Sequence, residues 1–156
     1  GKGTRMRVLF PACLDPAMKD LSNDGYHVEN LRGNGEVILL VDDVMEQREL
    51  GSTMLRKLGY TVILAESGEQ AVQMLHTSEA DLVILDMIMS PGQDGFETYR
   101  QILEIHPYQK AVIASGYAEE SRITEAREKG IRVFIRKPYT FKSFARAVKS
   151  ALSDND

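Results

Sequence analysis

Four short apolar runs in this chain each end in a group capable of chemistry. Val37 to Val41 leads into Asp42-Asp43, Leu82 to Leu85 into Asp86, Ala111 to Ala114 into Ser115-Gly116, and Val133 to Ile135, through Arg136, into Lys137-Pro138. If the runs are parallel strands, all these groups share the carboxyl edge of the sheet, where open α/β sheets bind ligands. Taken singly, each has an ordinary structural explanation, since an Asp after a strand often caps a helix, Ser-Gly makes turns and a Lys near a strand end is usually solvated. Four of five strands ending this way together are not explained so. The remaining strand ends in Ala65-Glu66-Ser67 and adds no group the chemistry requires.

Three carboxylates at one edge repel, by about 4 kcal/mol for a pair roughly 4 Å apart at a surface-like effective dielectric. A hard divalent cation that takes oxygen ligands offsets this, which points to Mg²⁺ and away from Zn²⁺. None of His27, His76 and His106 stands at a strand end. With such an ion the natural chemistry is phosphoryl transfer. A carboxylate attacks phosphorus, a lysine and the ion draw charge from the phosphoryl oxygens, and a hydroxyl hydrogen-bonds to another. Asp86, alone on a central strand, is the candidate nucleophile, and the pair Asp42-Asp43 is suited to the ion.

The elements that must position these groups are legible as periodicity. VILLVD (37–42), TVILA (61–65), DLVILD (81–86), KAVIAS (110–115) and RVFIRK (132–137) read as buried strands. Between them, Leu50, Met54, Leu55 and Leu58 mark a first helix, Ala71, Val72 and Leu75 a second, and Phe96, Tyr99 and Leu103 a third. Glu119 to Lys129 reads as a fourth, the most solvated, and Phe141, Phe144, Ala145, Val148 and Leu152 mark the last. Ser67, Asp94 and Thr140 stand where N-caps belong, and Gly59 and Gly130 where left-handed C-caps belong. Continuously apolar strands alternating with helices predict an α/β fold, a parallel sheet with right-handed crossovers and helices on both faces.

Residues 1–35 break this rhythm. Thr4 to Phe10 has strand character, but Pro11, Asp15-Pro16, Ser22-Asn23-Asp24-Gly25 and Gly33-Asn34-Gly35 are turn and linker chemistry. Over all 156 residues, 43% are hydrophobic, as in an ordinary globular chain with one core, and the formal net charge is -4. That charge argues against a protein that neutralises nucleic-acid phosphates or anionic lipid. Cys13 is the single cysteine, which excludes an intrachain disulfide and favours a reduced, cytoplasmic setting. The longest aliphatic run, Val37 to Val41, is far short of a bilayer span.

Asp42-Asp43, Asp86, Ser115 and Lys137-Pro138, in that order, resemble the receiver domain of two-component response regulators, over about residues 36–153. The resemblance implies a flavodoxin-like fold, a doubly wound five-stranded sheet of order 2-1-3-4-5 with five helices, that takes a phosphoryl group from a phosphohistidine donor. Asp86 becomes the phosphoacceptor, and Asp42, Asp43, Asp86 and the backbone carbonyl of Met87 hold Mg²⁺. Lys137 pairs with phosphoryl oxygens, Ser115 moves to hydrogen-bond them, and the Lys137-Pro138 peptide is cis. Phe134 stands at the switch aromatic position, without the hydroxyl that a Tyr would carry. The resemblance makes the fourth helix, fifth strand and last helix the signalling face, and the polarity of the fourth helix fits that; a homodimer through this face is a further expectation. Ile88 and Tyr117 occupy positions that tune dephosphorylation. One departure is plain: Met87-Ile88-Met89-Ser90 puts four residues before Pro91-Gly92, where three are usual.

GKGTRMRVLFP, at the front, is similar to the closing strand of a histidine-kinase ATP-binding domain. With residues 1–12 as the remnant of that domain, 13–35 as linker and 36–153 as receiver, the order is that of a bacterial hybrid sensor histidine kinase. These residues alone are expected neither to bind nor to hydrolyse ATP and to have at most self-catalysed phosphorylation and dephosphorylation, with no nucleic-acid partner and no membrane contact, although the parent kinase can be membrane-associated. Two rivals stand beside this reading. An Mg²⁺-dependent aspartyl phosphohydrolase wants an Asp-x-Asp pair, which Asp86-Met87-Ile88 lacks. A docking module without phosphorylation usually loses one of the acids or the lysine, and here all are present.

Overall fold

The β-branched and leucine-rich runs form five parallel strands, β1 (Val37–Val41), β2 (Thr61–Ala65), β3 (Leu82–Asp86), β4 (Ala111–Ser115) and β5 (Val133–Arg136), in the order β2-β1-β3-β4-β5. This computed structural model describes residues 28–90, 92, 94–116, 124, 127 and 131–153. Among the described residues four helices have both ends defined: α1 (Met45–Lys57), α2 (Gly68–Leu75), α3 (Gly95–Ile105) and α4 (Phe141–Ser153). The expected remnant at 1–12, the linker up to His27 with Cys13, Tyr117 and Gly130 lie outside the described residues. So does most of the expected helix Glu119 to Lys129, of which Thr124 and Arg127 are described and helical.

Alternation along the strands divides the core in two, because successive side chains point to opposite faces. Ile38, Leu40, Ile84, Val112 and Ala114 face a layer closed by Leu55 of α1 and by Phe144 and Val148 of α4. Leu39, Val41, Val83, Leu85 and Ile113 face the layer closed by Ala71 and Leu75 of α2 and Tyr99 and Ile102 of α3. Burying each such Leu, Ile or Phe stabilises the fold by roughly 1.5–3 kcal/mol, and this fixes the strand register and hence the strand ends. Every residue of β3 and β4 is buried, whereas β2 and β5, the edges, are partly exposed.

Helix ends follow local chemistry. Ser67 Oγ accepts from the Gln70 N–H and Asp94 Oδ1 from the Glu97 N–H, so both act as N-caps. Thr140 Oγ1 likewise accepts from the Ser143 N–H at the start of α4. Gly59, after α1, has φ +90° and there turns the chain into β2.

The chain just before β1 is packed on the body. Leu31, at the end of a 3-10 turn (Val28–Leu31), is buried in the α1/α4 layer, and its carbonyl accepts from the Tyr60 hydroxyl at 3.5 Å. The Gly33 N–H donates to the Leu58 carbonyl at 2.8 Å, and Lys149 Nζ to the Arg32 carbonyl at 3.2 Å. No described helix is long and apolar enough to cross a membrane.

Candidate functional site

Register brings the strand ends together. Asp42 follows β1 directly, Asp86 closes β3, Ser115 closes β4 opposite Arg136, and Lys137 is the next residue after β5. Backbone bonds extend the ladder past the strands: the Met87 N–H donates to the Ala114 carbonyl and the Lys137 N–H to the Ser115 carbonyl, both at 2.8 Å. The Lys137–Pro138 peptide is cis. The acids and the amine thus sit on rigid backbone, where position is held more tightly than on a free loop.

Lys137 Nζ donates to Asp42 Oδ2 at 2.7 Å and lies 2.9 Å from Asp86 Oδ2. Asp42 is 3% exposed and Asp86 8%, so both carboxylates face the cation with little water between. One oxygen each from Asp42, Asp43 and Asp86 lie within 4.8 Å of one another. Three hard oxygen donors at that spacing could hold a divalent metal ion. The cluster is itself anchored: Asp42 Oδ1 accepts from the Val44 N–H at 2.9 Å, Arg48 Nη1 donates to the Asp42 carbonyl, and Asp43 Oδ2 accepts from the Ser90 N–H at 3.0 Å.

Burial pushes the Asp86 carboxyl above its usual range, against the opposing pull of Lys137 and a hydrogen bond from the Ile88 backbone. For Lys137 burial works the other way, but its bonds to Asp42 and Asp86 prevail and hold the ammonium above its usual value. Without another cation, one lysine serves two buried acids.

Ser115, 4% exposed, is at the same edge, and its Oγ has no hydrogen-bond partner among the described residues. A buried hydroxyl left without a partner forfeits about 1–3 kcal/mol, so such an atom calls for an explanation. Phe134 is partly buried on the α2/α3 side, with the Arg127 guanidinium 5.9 Å from its ring centroid. The Met87 carbonyl accepts from the Gly95 N–H at 3.1 Å and keeps a second lone pair. Ile88 stands out into solvent at 61% exposure. His76 and His106 lie away from this edge; His106 Nε2 is 2.9 Å from the Leu75 carbonyl.

Two residues that bear on the site were not evident from residue types alone. A Cβ on Gly95 would stand 2.2 Å from the Asp86 carbonyl oxygen, so only glycine lets α3 start against the acid's own backbone. The signal was there as Asp94-Gly95 at a helix start, but a glycine beside a cap reads first as turn chemistry. Tyr139 stacks on Phe144 with ring centroids 4.6 Å apart and lines, with Glu46, Gln47, Leu50, Lys137 and Pro138, an open cavity of about 510 Å³ beside the lysine.

The response regulator receiver domain, as a family model, matches residues 38–149. Sporulation initiation phosphotransferase F of Bacillus subtilis is 34% identical over 117 residues, covering 75% of this chain and 94% of that protein. The sensor kinase CckA of Brucella abortus is 32% identical over 164 residues, an alignment that covers all of this chain but only 17% of the kinase. Among solved structures, a CheY-like receiver domain protein from Methanospirillum hungatei superposes with TM-score 0.72 at 22% identity, over 76% of this chain and 94% of that one. A chain from the CheX-CheY-BeF3-Mg+2 complex of Borrelia burgdorferi superposes with TM-score 0.71 at 26% identity, over 76% and 90%.

Proposed function

The chain belongs to the response regulator receiver family of two-component systems, and from that premise we propose that Asp86 accepts a phosphoryl group from a phosphohistidine donor. The observation that carries the proposal is the convergence of Asp42 and Asp86 on Lys137 Nζ, at 2.7 and 2.9 Å, with Asp43 beside them. An Asp86 carboxylate oxygen attacks phosphorus, forming an O–P bond as the N–P bond to the donor imidazole breaks. The imidazole leaves with the electron pair and takes a proton from water. In this reading Lys137 follows the charge onto the phosphoryl oxygens, and Ser115 Oγ, without a hydrogen-bond partner among the described residues, donates to one of them.

Asp42, Asp43, Asp86 and the Met87 carbonyl would hold Mg²⁺, which when bound supplies Lewis-acid charge to the phosphoryl oxygens. The reading of Ser115 and Phe134 as the switch, of the 119–129 segment, β5 and α4 as the signalling face, and of that face as a homodimer contact extends this proposal. The phosphodonor is a histidine-containing kinase or phosphotransfer domain working in the cytoplasm.

The parent is read as a hybrid sensor histidine kinase, with residues 1–12 ending its ATP-binding domain, 13–35 the linker and 36–153 the receiver. GKGTRMRVLFP supports this, and so does the alignment to a sensor kinase along the whole chain. The test is incubation with acetyl phosphate or a phosphohistidine donor, followed by intact-mass measurement: one phosphoryl group is gained with Mg²⁺ and none with chelator. Equal labelling in both would overturn the proposal.

A further inference from the structure

The residue that lengthens the loop after Asp86 has a partner. Along Met87-Ile88-Met89-Ser90 the side chains alternate, Met87 and Met89 buried in the α2/α3 core and Ile88 and Ser90 exposed. The loop is therefore pinned from inside by two methionines. At its far end Gly92, with φ +133°, turns the chain toward α3, where the Gly95 N–H returns to the Met87 carbonyl. Held this way, the fourth residue turns its backbone N–H to Asp43 Oδ2 at 3.0 Å, bridging the ends of β3 and β1.

We propose that Ser90 is a positioning residue whose backbone N–H orients the Asp43 carboxylate for a divalent cation. This rests on the reading of Asp43 as a cation ligand. Asp43 is the most exposed of the three acids, and no described lysine or arginine bonds to it, whereas Asp42 and Asp86 are both held by Lys137. A carboxylate has two oxygens. The N–H engages one, restricting the rotation of the side chain, and leaves the other for the ion, as outer-shell hydrogen bonds do at metal sites generally. The serine side chain takes no part; the extra residue matters because it brings a donor within reach.

That distinction sets the test, made by calorimetric Mg²⁺ titration of the full chain without a phosphodonor. Ser90→Ala keeps the N–H and binds Mg²⁺ like the native chain. Ser90→Pro keeps the loop length but deletes the donor and binds about tenfold more weakly, at the low end for an outer-shell contact. The inference is overturned if Ser90→Pro binds normally, or if Ser90→Ala loses as much. If Asp43→Ala itself binds Mg²⁺ normally, the underlying reading of Asp43 fails instead. A second readout needs no metal and no proline: in the metal-free native chain the Ser90 amide proton resonates downfield, and Asp43→Ala moves it upfield. An unmoved amide would overturn the inference.

Discussion

Lys137 Nζ stands 2.9 Å from Asp86 Oδ2. The contact joins the end of β3 to the residue after β5, across β4, and makes the lysine the resident counter-ion of a buried acid that it shares with Asp42. Any second cation that enters among these acids competes with that ammonium.

Lys137→Ala is accordingly expected to bind Mg²⁺ more tightly, by about tenfold, because a full positive charge a few ångströms from the acids is removed. The same variant takes up phosphoryl groups poorly, since charge on the phosphoryl oxygens loses its partner. Titration calorimetry and labelling rates check the two halves; weaker Mg²⁺ binding together with loss of fold would instead make the lysine structural.

Ser115→Ala removes a buried hydroxyl that has no hydrogen-bond partner among the described residues. The unphosphorylated domain should therefore be unchanged or stabilised, by up to about 1 kcal/mol, in urea denaturation. Destabilisation by more than that would mean that the hydroxyl already has a partner in solution.

Strand positions were legible because buried parallel strands leave continuous apolar runs, whereas the sheet order came only with the family resemblance; the acids stood out because carboxylates seldom end such runs together. What could not be read came from contacts distant in sequence. Lys137 touching both Asp42 and Asp86 depends on strand order, Gly95 is demanded by the Asp86 carbonyl, and Ser90 reaches Asp43 across the site. Leu31 read as part of a linker because the glycines and asparagine after it, Gly33-Asn34-Gly35, are turn residues. Its burial depends on Tyr60 and α4, which no local pattern reveals.

Leu31→Ala should destabilise the domain by about 2–5 kcal/mol, the usual loss for a truncated buried leucine. A chain starting at residue 36 should lose at least as much. Denaturation midpoints of the two against the full chain decide whether residues 31–33 belong to the folding unit, and an unchanged midpoint for both would exclude it.

Burial, reinforced by Glu36, pushes the Tyr60 phenol up from 10.0 to about 12. The neutral form is favoured in the fold, so this contribution is whole below pH 10 and is lost as pH rises toward 12, by at most about 1.4 kcal/mol per pH unit. Tyr60→Phe should flatten that alkaline fall in denaturation experiments, leaving the part due to Tyr99 and Tyr139, which burial also raises. An alkaline limb of unchanged steepness would contradict the assignment.

Whether Asp86 is the acceptor is tested most directly by chemical trapping. After incubation with a phosphohistidine donor and Mg²⁺, borohydride reduction converts an aspartyl phosphate to homoserine, and peptide mass spectrometry locates it. Homoserine is expected at position 86 in the native chain, with no labelling of Asp86→Asn. Homoserine at position 42 or 43, or undiminished labelling of Asp86→Asn, would contradict it.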